Sequence, residues 1–278
     1  MKKLKLNILF SLLLTTAAAG IFGCSASLSG ETGALPSDSS GKPAELVVFA
    51  AASLTEALEE IAEAYEKKEP EISLIFNFDS SGTLKTQIQE GADCDLFLSA
   101  SPKQMDQLET ESDLILPESR INLLENTVVL VTPKENRKDI DSFDSLAEHL
   151  KAGDMLLAMG NSDVPAGQYA GKILTWYGMD EEKLAADSLI TYGSNVKEVA
   201  AQVSEGSADA GIIYSTDAFS AGLTPADEAS EEMCGQVIYP ASVLQSSAHP
   251  EQAQAFLDFL SGPEAQAVFE RIGFSLAE

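Results

Sequence analysis

The sequence has few cations and few residues of the kinds that build catalytic or metal centres. Its 278 residues hold 17 lysines and arginines against 44 aspartates and glutamates, a net charge of −27, with only two histidines, three cysteines and one tryptophan. Loss of the three lysines among the first five residues would bring the charge near −30. So negative a chain is repelled by nucleic acid and by anionic lipid. We therefore expect no nucleic-acid partner.

Enzyme and metal motifs are also missing from the sequence. His149 lies in a polar helical segment and His249 precedes Pro250 at a helix start, so neither suggests a base or a ligand. No Gly-x-Ser-x-Gly elbow occurs, and Gly167–Ile173 lacks the spacing of a phosphate loop. No acidic run alternates around a glycine as a calcium loop would. The sequence predicts no enzyme, no bare metal ion and no cofactor.

The amino terminus has the features of a targeting segment. After a basic start, Ile8 to Gly23 is almost wholly apolar, which is short for a membrane span of about 20 residues and typical of a secretory signal. We assign residues 1–23 to a signal peptide. It ends in Ile21-Phe22-Gly23-Cys24, which resembles a lipoprotein site with Cys24 as the lipidated residue; the alternative is an ordinary signal with an incidental cysteine. Residues 24–43, rich in Ser, Gly and Pro, would be a flexible tether. The protein is then expected outside the cytoplasm, at the extracellular face or in the periplasm, held to the membrane only by lipid.

The remaining chain alternates apolar strands with amphipathic helices, which predicts an α/β fold of mostly parallel sheets flanked by helices. Two extended apolar runs, Leu124–Pro133 and Gln236–Gln245, are interpreted as hinge crossovers between two lobes. Lobe I would hold residues 44–123 and 239–278, and lobe II residues 124–238. The tail from Pro250 to Phe274 is predicted to be helical. Cys94 and Cys234 could form a disulfide in this compartment, or remain two buried thiols.

Candidate ligand-binding groups recur where a strand ends and a helix begins. Helix starts expose unpaired N–H groups and a partial positive charge, so each is a potential anion site. In α/β sheets these starts lie at the carboxyl ends of strands, where clefts form. The alternative for each is that its Ser or Asn only caps its own helix, as Ser53 with Glu56 and Asn195 with Glu198 suggest. The junctions are 52–56, 79–84, 164–168, 193–198 and 213–217.

Several of these segments resemble, in order, those of periplasmic molybdate-binding proteins of ABC importers. The similarity extends from about Glu45 to the carboxyl end, and its first two motifs together are specific. The similar segments are Val48-Phe49-Ala50-Ala51-Ala52-Ser53-Leu54-Thr55-Glu56-Ala57-Leu58, Phe78-Asp79-Ser80-Ser81-Gly82-Thr83-Leu84, Gly91 to Ala100, Val164-Pro165-Ala166-Gly167-Gln168-Tyr169-Ala170, Gly211 to Ala218, Gly262 to Gln266, and Gly273-Phe274.

The resemblance implies a two-lobed periplasmic-binding-protein fold of type II that holds molybdate or tungstate between its lobes. Carried over to this sequence, Ser53 and Ser81 would bind the oxyanion through hydroxyl and backbone N–H. Ala166 and Val196 would each donate a backbone N–H, and Tyr214 its phenolic hydroxyl. The protein would act as a monomer that delivers the oxyanion to the permease subunits of an ABC transporter. Neutral donors would then bind a dianion despite the negative charge of the whole molecule.

The sequence departs from the family pattern at two positions, and two other functions remain open. Gly82 stands where a third serine is common, and Cys94 where a small residue is frequent. A binder of another tetrahedral oxyanion, such as sulfate, would use the same neutral pocket. A lipid-anchored hydrolase would use Ser53 or Ser81 as nucleophile, but it would need a nearby base.

Overall fold

The computed structural model describes residues 43–277. The predicted signal peptide, the lipidated Cys24 and all but the last residue of the predicted tether lie outside this range. Within it, no helix is both long enough and apolar enough to cross a membrane.

The described chain forms eleven strands and eleven α-helices. The strands are β1 Ala44–Ala51, β2 Ile72–Asp79, β3 Leu96–Leu98, β4 Ile121–Asn126, β5 Val128–Val131, β6 Leu157–Gly160, β7 Ile190–Gly193, β8 Ala210–Tyr214, β9 Pro225–Glu228, β10 Val237–Val243 and β11 Ser275–Leu276. The helices are α1 Thr55–Lys68, α2 Ser81–Gln89, α3 Pro102–Asp106, α4 Phe143–Ala152, α5 Pro165–Trp176, α6 Glu181–Ala186, α7 Val196–Ser204, α8 Ser215–Ser220, α9 Glu231–Cys234, α10 Pro250–Leu260 and α11 Pro263–Ile272. A 3₁₀ turn, Ala52–Leu54, joins β1 to α1, and a π-helical turn, Gln107–Glu111, follows α3.

The strands form two mixed sheets, each covered by helices. The first has the order β11-β4-β10-β3-β1-β2, with β1 parallel to β2 and β3, and β10 antiparallel to β3 and β4. The second has the order β7-β6-β8-β5-β9, with β6 parallel to β7 and β8, and β5 antiparallel to β8 and β9. We call the parts that carry these sheets lobe I and lobe II. The predicted two-lobed α/β fold is confirmed, but the sheets are mixed and not mostly parallel, because β10 and β5 each pair antiparallel with both of their neighbours.

The chain crosses from the first sheet to the second within the first of the two predicted runs and returns just before the second. Leu124–Pro133 is not one continuous strand, because β4 belongs to the first sheet and β5 to the second. The break falls at Thr127, whose N–H donates to Oδ1 of Asn126 at 2.8 Å instead of continuing the ladder. The second run, Gln236–Gln245, is mainly β10 and pairs within the first sheet, so the chain returns between β9 and β10. An apolar run indicates that a segment is buried, but it does not show which of the two sheets the segment joins.

The carboxyl-terminal helical prediction is correct in type and wrong in continuity. The segment divides into α10 and α11, with Gly262 as the N-cap and Pro263 as the first residue of α11. Proline has no N–H to donate and fits the first turn of a helix, so it starts a new helix at this position.

The central strands are buried on both faces, as the continuous apolar runs predicted. Every residue of β8 is buried, and so is every residue of β5 and β6. Helices cover both faces of such strands, and their carboxyl ends open toward loops and helix starts. Cys94 and Cys234 are both buried and free, so the disulfide alternative is wrong. Burial raises the pKa of both thiols, to about 12 for Cys94.

Candidate oxyanion site between the lobes

All five predicted binding residues line one small cavity between the two lobes. Ser53 and Ser81 come from lobe I, and Ala166, Val196 and Tyr214 from lobe II. Each is at least 96% buried. The cavity volume is about 10 Å³, close to the minimum for a single water molecule. A tetrahedral oxyanion is larger, so its binding must widen this cavity.

Ser53 lies in the 3₁₀ turn after β1, and its hydroxyl faces lobe I. Its Oγ lies 2.9 Å from the phenolic oxygen of Tyr239 on β10. The capping-box interpretation of Ser53 with Glu56 is wrong, because α1 has Leu54 as N-cap and no side-chain cap. Glu56 instead pairs with Lys197 of lobe II through both carboxylate oxygens at 2.6 Å. Ser53 is thereby held by tertiary contacts and not by its own helix.

Ser81 is the first residue of α2, and its neighbour does the capping. Oγ of Ser80 accepts from the N–H of Thr83 at 3.1 Å. Oγ of Ser81 accepts from the N–H of Ala100 at 3.0 Å. Because a hydroxyl that accepts from an amide still has its own proton to donate, Ser81 can offer that proton to a ligand.

Lobe II contributes backbone amides at two helix starts. Ala166 is the second residue of α5 after Pro165, and Val196 is the first residue of α7. Amides in the first turn have no partner within their helix. In residues 43–277, no carbonyl outside the helix accepts from the amides of Ser53, Ser81, Ala166 or Val196. Asn195 caps α7 by accepting from Glu198 N–H at 3.1 Å, as predicted.

Tyr214, the last residue of β8, spans the cavity. Its hydroxyl donates to the carbonyl of Ala100 in lobe I at 3.3 Å. Complete burial raises the pKa of this phenol well above its ordinary value, so it remains a neutral donor. To bind a ligand, Tyr214 would exchange the Ala100 carbonyl for a ligand oxygen.

No lysine or arginine within residues 43–277 lines this cavity, and its wall includes a carboxylate. Oδ1 of Asp79 accepts from the N–H of Ser80 at 2.7 Å. Lys197, on the same helix as Val196, is paired with Glu56 and lies 3.6 Å from Asp217. A dianion in this cavity would therefore be bound by hydroxyls, amides and helix dipoles.

The glycine at position 82, where the family commonly has a third serine, has a structural reason. Its N–H donates to the carbonyl oxygen of Asp163 across the cleft at 2.9 Å. A Cβ built at Gly82 would lie 2.3 Å from that oxygen and 2.7 Å from Asp163 Cα. Glycine thus allows the backbone of lobe II to approach the start of α2.

Sequence reasoning missed the residues behind the site. Tyr239 and Ala100 contact predicted binding residues, and Asn126 contacts Tyr239, yet none of the three lies in the five junctions singled out from the sequence. The sequence pattern places Tyr239 only in an apolar strand. A tyrosine in an otherwise apolar strand was the available signal, since a buried phenol needs a polar partner.

The described contacts do not support the hydrolase alternative. Ser53 is bonded to a tyrosine and Ser81 to a backbone amide, so neither hydroxyl has a histidine partner in the described part of the chain. His149 bonds to Asp154 at 2.9 Å in a different region of lobe II. A larger cavity of about 500 Å³ opens between Leu150 and Leu189, but none of the five predicted residues lines it.

Two lobes that enclose neutral donors around one small cavity define a solute-binding protein. Comparison with known families agrees: the profile of the bacterial extracellular solute-binding proteins matches residues 46–275. The chain belongs to this family. It is a binding protein and not an enzyme, as the sequence predicted.

Relatives are found across nearly the whole chain. A Bacillus subtilis protein named "Putative ABC transporter substrate-binding lipoprotein YvgL" is 36% identical, covering 94% of this chain and 95% of the relative. The molybdate-binding protein ModA of Escherichia coli is 37% identical, covering 84% and 89%. A solved substrate-binding domain of a putative molybdenum ABC transporter from Clostridium difficile is 33% identical, with a TM-score of 0.62, covering 84% and 99%. The resemblance predicted from the sequence motifs is confirmed.

Proposed function

We propose that this protein captures molybdate or tungstate outside the cytoplasm and delivers it to the permease of an ABC importer. The observation that carries the proposal is the convergence of Ser53, Ser81, Ala166, Val196 and Tyr214 on one cavity. Two relatives with names that refer to molybdate or molybdenum support the choice of ligand.

The charge distribution supports a doubly charged ligand of small size. Donors from five separate segments can surround a tetrahedral oxyanion without a formal cation, and a dry cavity strengthens each of these hydrogen bonds. Paired cations at the site would also bind smaller dianions tightly. With neutral donors at fixed positions, cavity size would be the feature that separates molybdate and tungstate from sulfate.

The proposal includes a hinged closure and a lipid anchor. The lobes would divide near the predicted bounds, 44–123 with 239–278 and 124–238, with the first crossing at Thr127. Closure would bring Gly82 and Asp163 together over the ligand, as hinge motion does in many binding proteins. Cys24 would carry the lipid, and the following segment would tether a monomer near its permease.

Calorimetric titration of the chain from residue 43 onward tests the proposal. We expect molybdate and tungstate to bind with one site per chain and with much higher affinity than sulfate or phosphate. Thermal unfolding gives an independent readout, because a ligand at 100 times its dissociation constant adds about 2.7 kcal/mol of stability. Tight binding of sulfate with weak binding of molybdate would favour the alternative oxyanion binder. Binding of none of the four would contradict the proposal.

A further inference from the structure

Asn126 occupies the point where the chain leaves the first sheet, and its side chain contacts both lobes. Its Oδ1 accepts from the N–H of Thr127 at 2.8 Å and from the hydroxyl of Ser215 at 2.9 Å. Its Nδ2 donates to Oγ1 of Thr216 at 2.9 Å and to the phenolic oxygen of Tyr239 at 3.2 Å. Thr127 and the α8 residues Ser215 and Thr216 follow the crossing, whereas Tyr239 lies in lobe I.

These contacts fix the orientation of the Asn126 amide. A backbone N–H can only donate, so the atom that faces Thr127 N–H must be the oxygen. The amide nitrogen therefore faces Tyr239 and must donate to it. Amide flips are otherwise hard to assign, but here the partner settles the choice.

The orientation of Asn126 determines where the proton of Tyr239 points. Tyr239 is 99% buried, and in the described residues its hydroxyl has two partners, Asn126 and Ser53. Asn126 Nδ2 cannot accept, so the phenolic proton is donated to Oγ of Ser53, since a buried donor left unpaired is costly. Ser53 then accepts from Tyr239, and its own proton is free for the cavity.

We propose that Asn126 and Tyr239 are positioning residues that fix the Ser53 hydroxyl as a donor toward the bound oxyanion. This inference rests on the proposed function. The hydrogen-bond relay runs from Asn126 through Tyr239 to Ser53, and every step has a single direction. It presents a proton, and not a lone pair, to the ligand. To accept the proton of an oxyanion such as hydrogen phosphate, Ser53 would have to turn its own proton away from the ligand, because one of its two lone pairs already accepts from Tyr239.

The relay also links the crossing to the pocket. Three of the four Asn126 contacts go to Thr127, Ser215 and Thr216, on the lobe II side of the crossing. The donor direction of Ser53 is therefore set by the same residue that joins the two sheets.

Tyr239→Phe tests the relay, with Tyr169→Phe as a matched control. Both tyrosines are buried and pack edge-on against Tyr214, with ring centroids 5.7 Å and 6.3 Å away. Tyr169 donates to the carbonyl of Gln236 and does not contact Ser53. We expect Tyr239→Phe to weaken molybdate binding about tenfold and to lower the affinity ratio of molybdate to phosphate. Tyr169→Phe should leave that ratio unchanged.

Asn126→Asp tests the direction of the relay and keeps the shape of the side chain. A carboxylate at this position would accept the phenolic proton of Tyr239, so Ser53 would have to donate to Tyr239. The Ser53 hydroxyl would then no longer donate to the ligand. We expect molybdate affinity to fall by at least as much as in Tyr239→Phe. Unchanged affinity and unchanged ratio in both variants would overturn the relay.

A double-mutant cycle separates this inference from the proposed function. In a Ser53→Ala background, Tyr239→Phe should cause no further loss of molybdate affinity, because the hydroxyl that it orients is gone. Additive losses would show that Tyr239 acts through packing and would refute the relay alone. Failure of the wild-type protein to bind molybdate at all would refute the proposed function instead.

Discussion

The two lobes contribute to the cavity in different ways. Lobe I contributes the hydroxyls and the backbone amides of Ser53 and Ser81, and each hydroxyl is held by another residue of this lobe: Ser53 by Tyr239 and Ser81 by the amide of Ala100. Lobe II contributes the main-chain amides of Ala166 and Val196, whose side chains are apolar, and the phenol of Tyr214. Under the proposed function, binding on the lobe I side would depend in part on side chains, whereas binding on the lobe II side would depend mainly on where two helices begin.

This difference predicts where single substitutions will matter. A hydroxyl is lost with one substitution, and its partner is left unpaired in a buried site. A backbone amide remains whatever side chain its residue carries. Point variants in lobe I should therefore reduce affinity, and variants at the two amide positions of lobe II should mainly change stability.

Ser81→Ala should have the largest effect. It removes a fully buried donor to a charged ligand, which typically costs about 1.5–3 kcal/mol, or roughly 10- to 150-fold in affinity. Ser242→Ala is the control, because Ser242 is equally buried in lobe I and bonds to Ser119 away from the cavity. Calorimetry should show the loss only in Ser81→Ala. Equal molybdate affinities for the two variants would show that Ser81 does not bind the ligand.

Gly82→Ala should weaken binding through the approach of the lobes. The added Cβ would meet the backbone of Asp163 at 2.3 Å, and overpacking of this kind costs about 1–3 kcal/mol. Because the contact joins the two lobes, the cost applies to the closed form and not to the folding of either lobe. We expect lower molybdate affinity with little change in the melting temperature of the ligand-free protein.

Gly171→Ala provides the comparison for this effect. Gly171 also lies in a helix, but a Cβ there would meet only the end of the Glu181 side chain. Alanine favours helices over glycine by about 1 kcal/mol, so this variant should bind normally and be as stable or more stable. If Gly82→Ala bound molybdate as well as Gly171→Ala does, the close approach would have no role in binding.

The sequence predicted the junctions well because each is local. A strand followed by Ser, Asn or Pro and then a helical pattern sets the start of α5 at Pro165 and of α7 at Val196, and both starts are as predicted. The spacing of these junctions does not indicate that they meet in one cavity. That expectation depends on the resemblance to molybdate-binding proteins. The Ser53–Tyr239 contact joins residues 186 positions apart. Its strand register depends on the complete sheet, so no local pattern could indicate it.

The lobes also differ in their buried carboxylates. Asp95 of lobe I accepts from Val47 N–H at 2.8 Å and from the Ser247 hydroxyl at 2.6 Å. Asp217 of lobe II is 99% buried, and neither of its oxygens has a hydrogen-bond partner within residues 43–277. Burial raises the pKa of Asp217 from 3.8 to about 7, and Lys197 offsets this only in part.

Asp217→Asn should therefore change how stability depends on pH. Between about pH 4 and pH 7 folded Asp217 keeps a proton that the unfolded chain has lost, so wild-type stability falls as pH rises through this window. Asparagine does not titrate, so the free energy of unfolding of the variant relative to wild type should rise from pH 4 to pH 8. The difference should be on the order of a few kcal/mol. Denaturant titrations at both pH values measure it.

Asp95→Asn serves as the contrasting variant. An amide cannot accept both of the bonds that Asp95 accepts, so we expect Asp95→Asn to lower the free energy of unfolding at pH 8. If the free energies of unfolding of Asp217→Asn and wild type differed by the same amount from pH 4 to pH 8, Asp217 would be ionised in the folded protein across this range.

Val196→Ala should have the smallest effect on binding. Its backbone N–H remains at the start of α7, so molybdate affinity should stay within about twofold. The loss of buried methyl groups should still lower stability by about 1–3 kcal/mol. Chemical denaturation and calorimetry on one preparation would measure both. A large loss of affinity here would mean that the side chain, and not the amide, contacts the ligand.

The central claim is that two lobes bind a dianion with neutral groups alone. A crystal structure of the protein with molybdate tests this most directly. We predict ligand oxygens at about 2.7–3.2 Å from the hydroxyls of Ser53, Ser81 and Tyr214 and from the amides of Ala166 and Val196. No lysine or arginine nitrogen should contact the ligand. A molybdate held by a cationic side chain, or bound outside this cavity, would contradict the account.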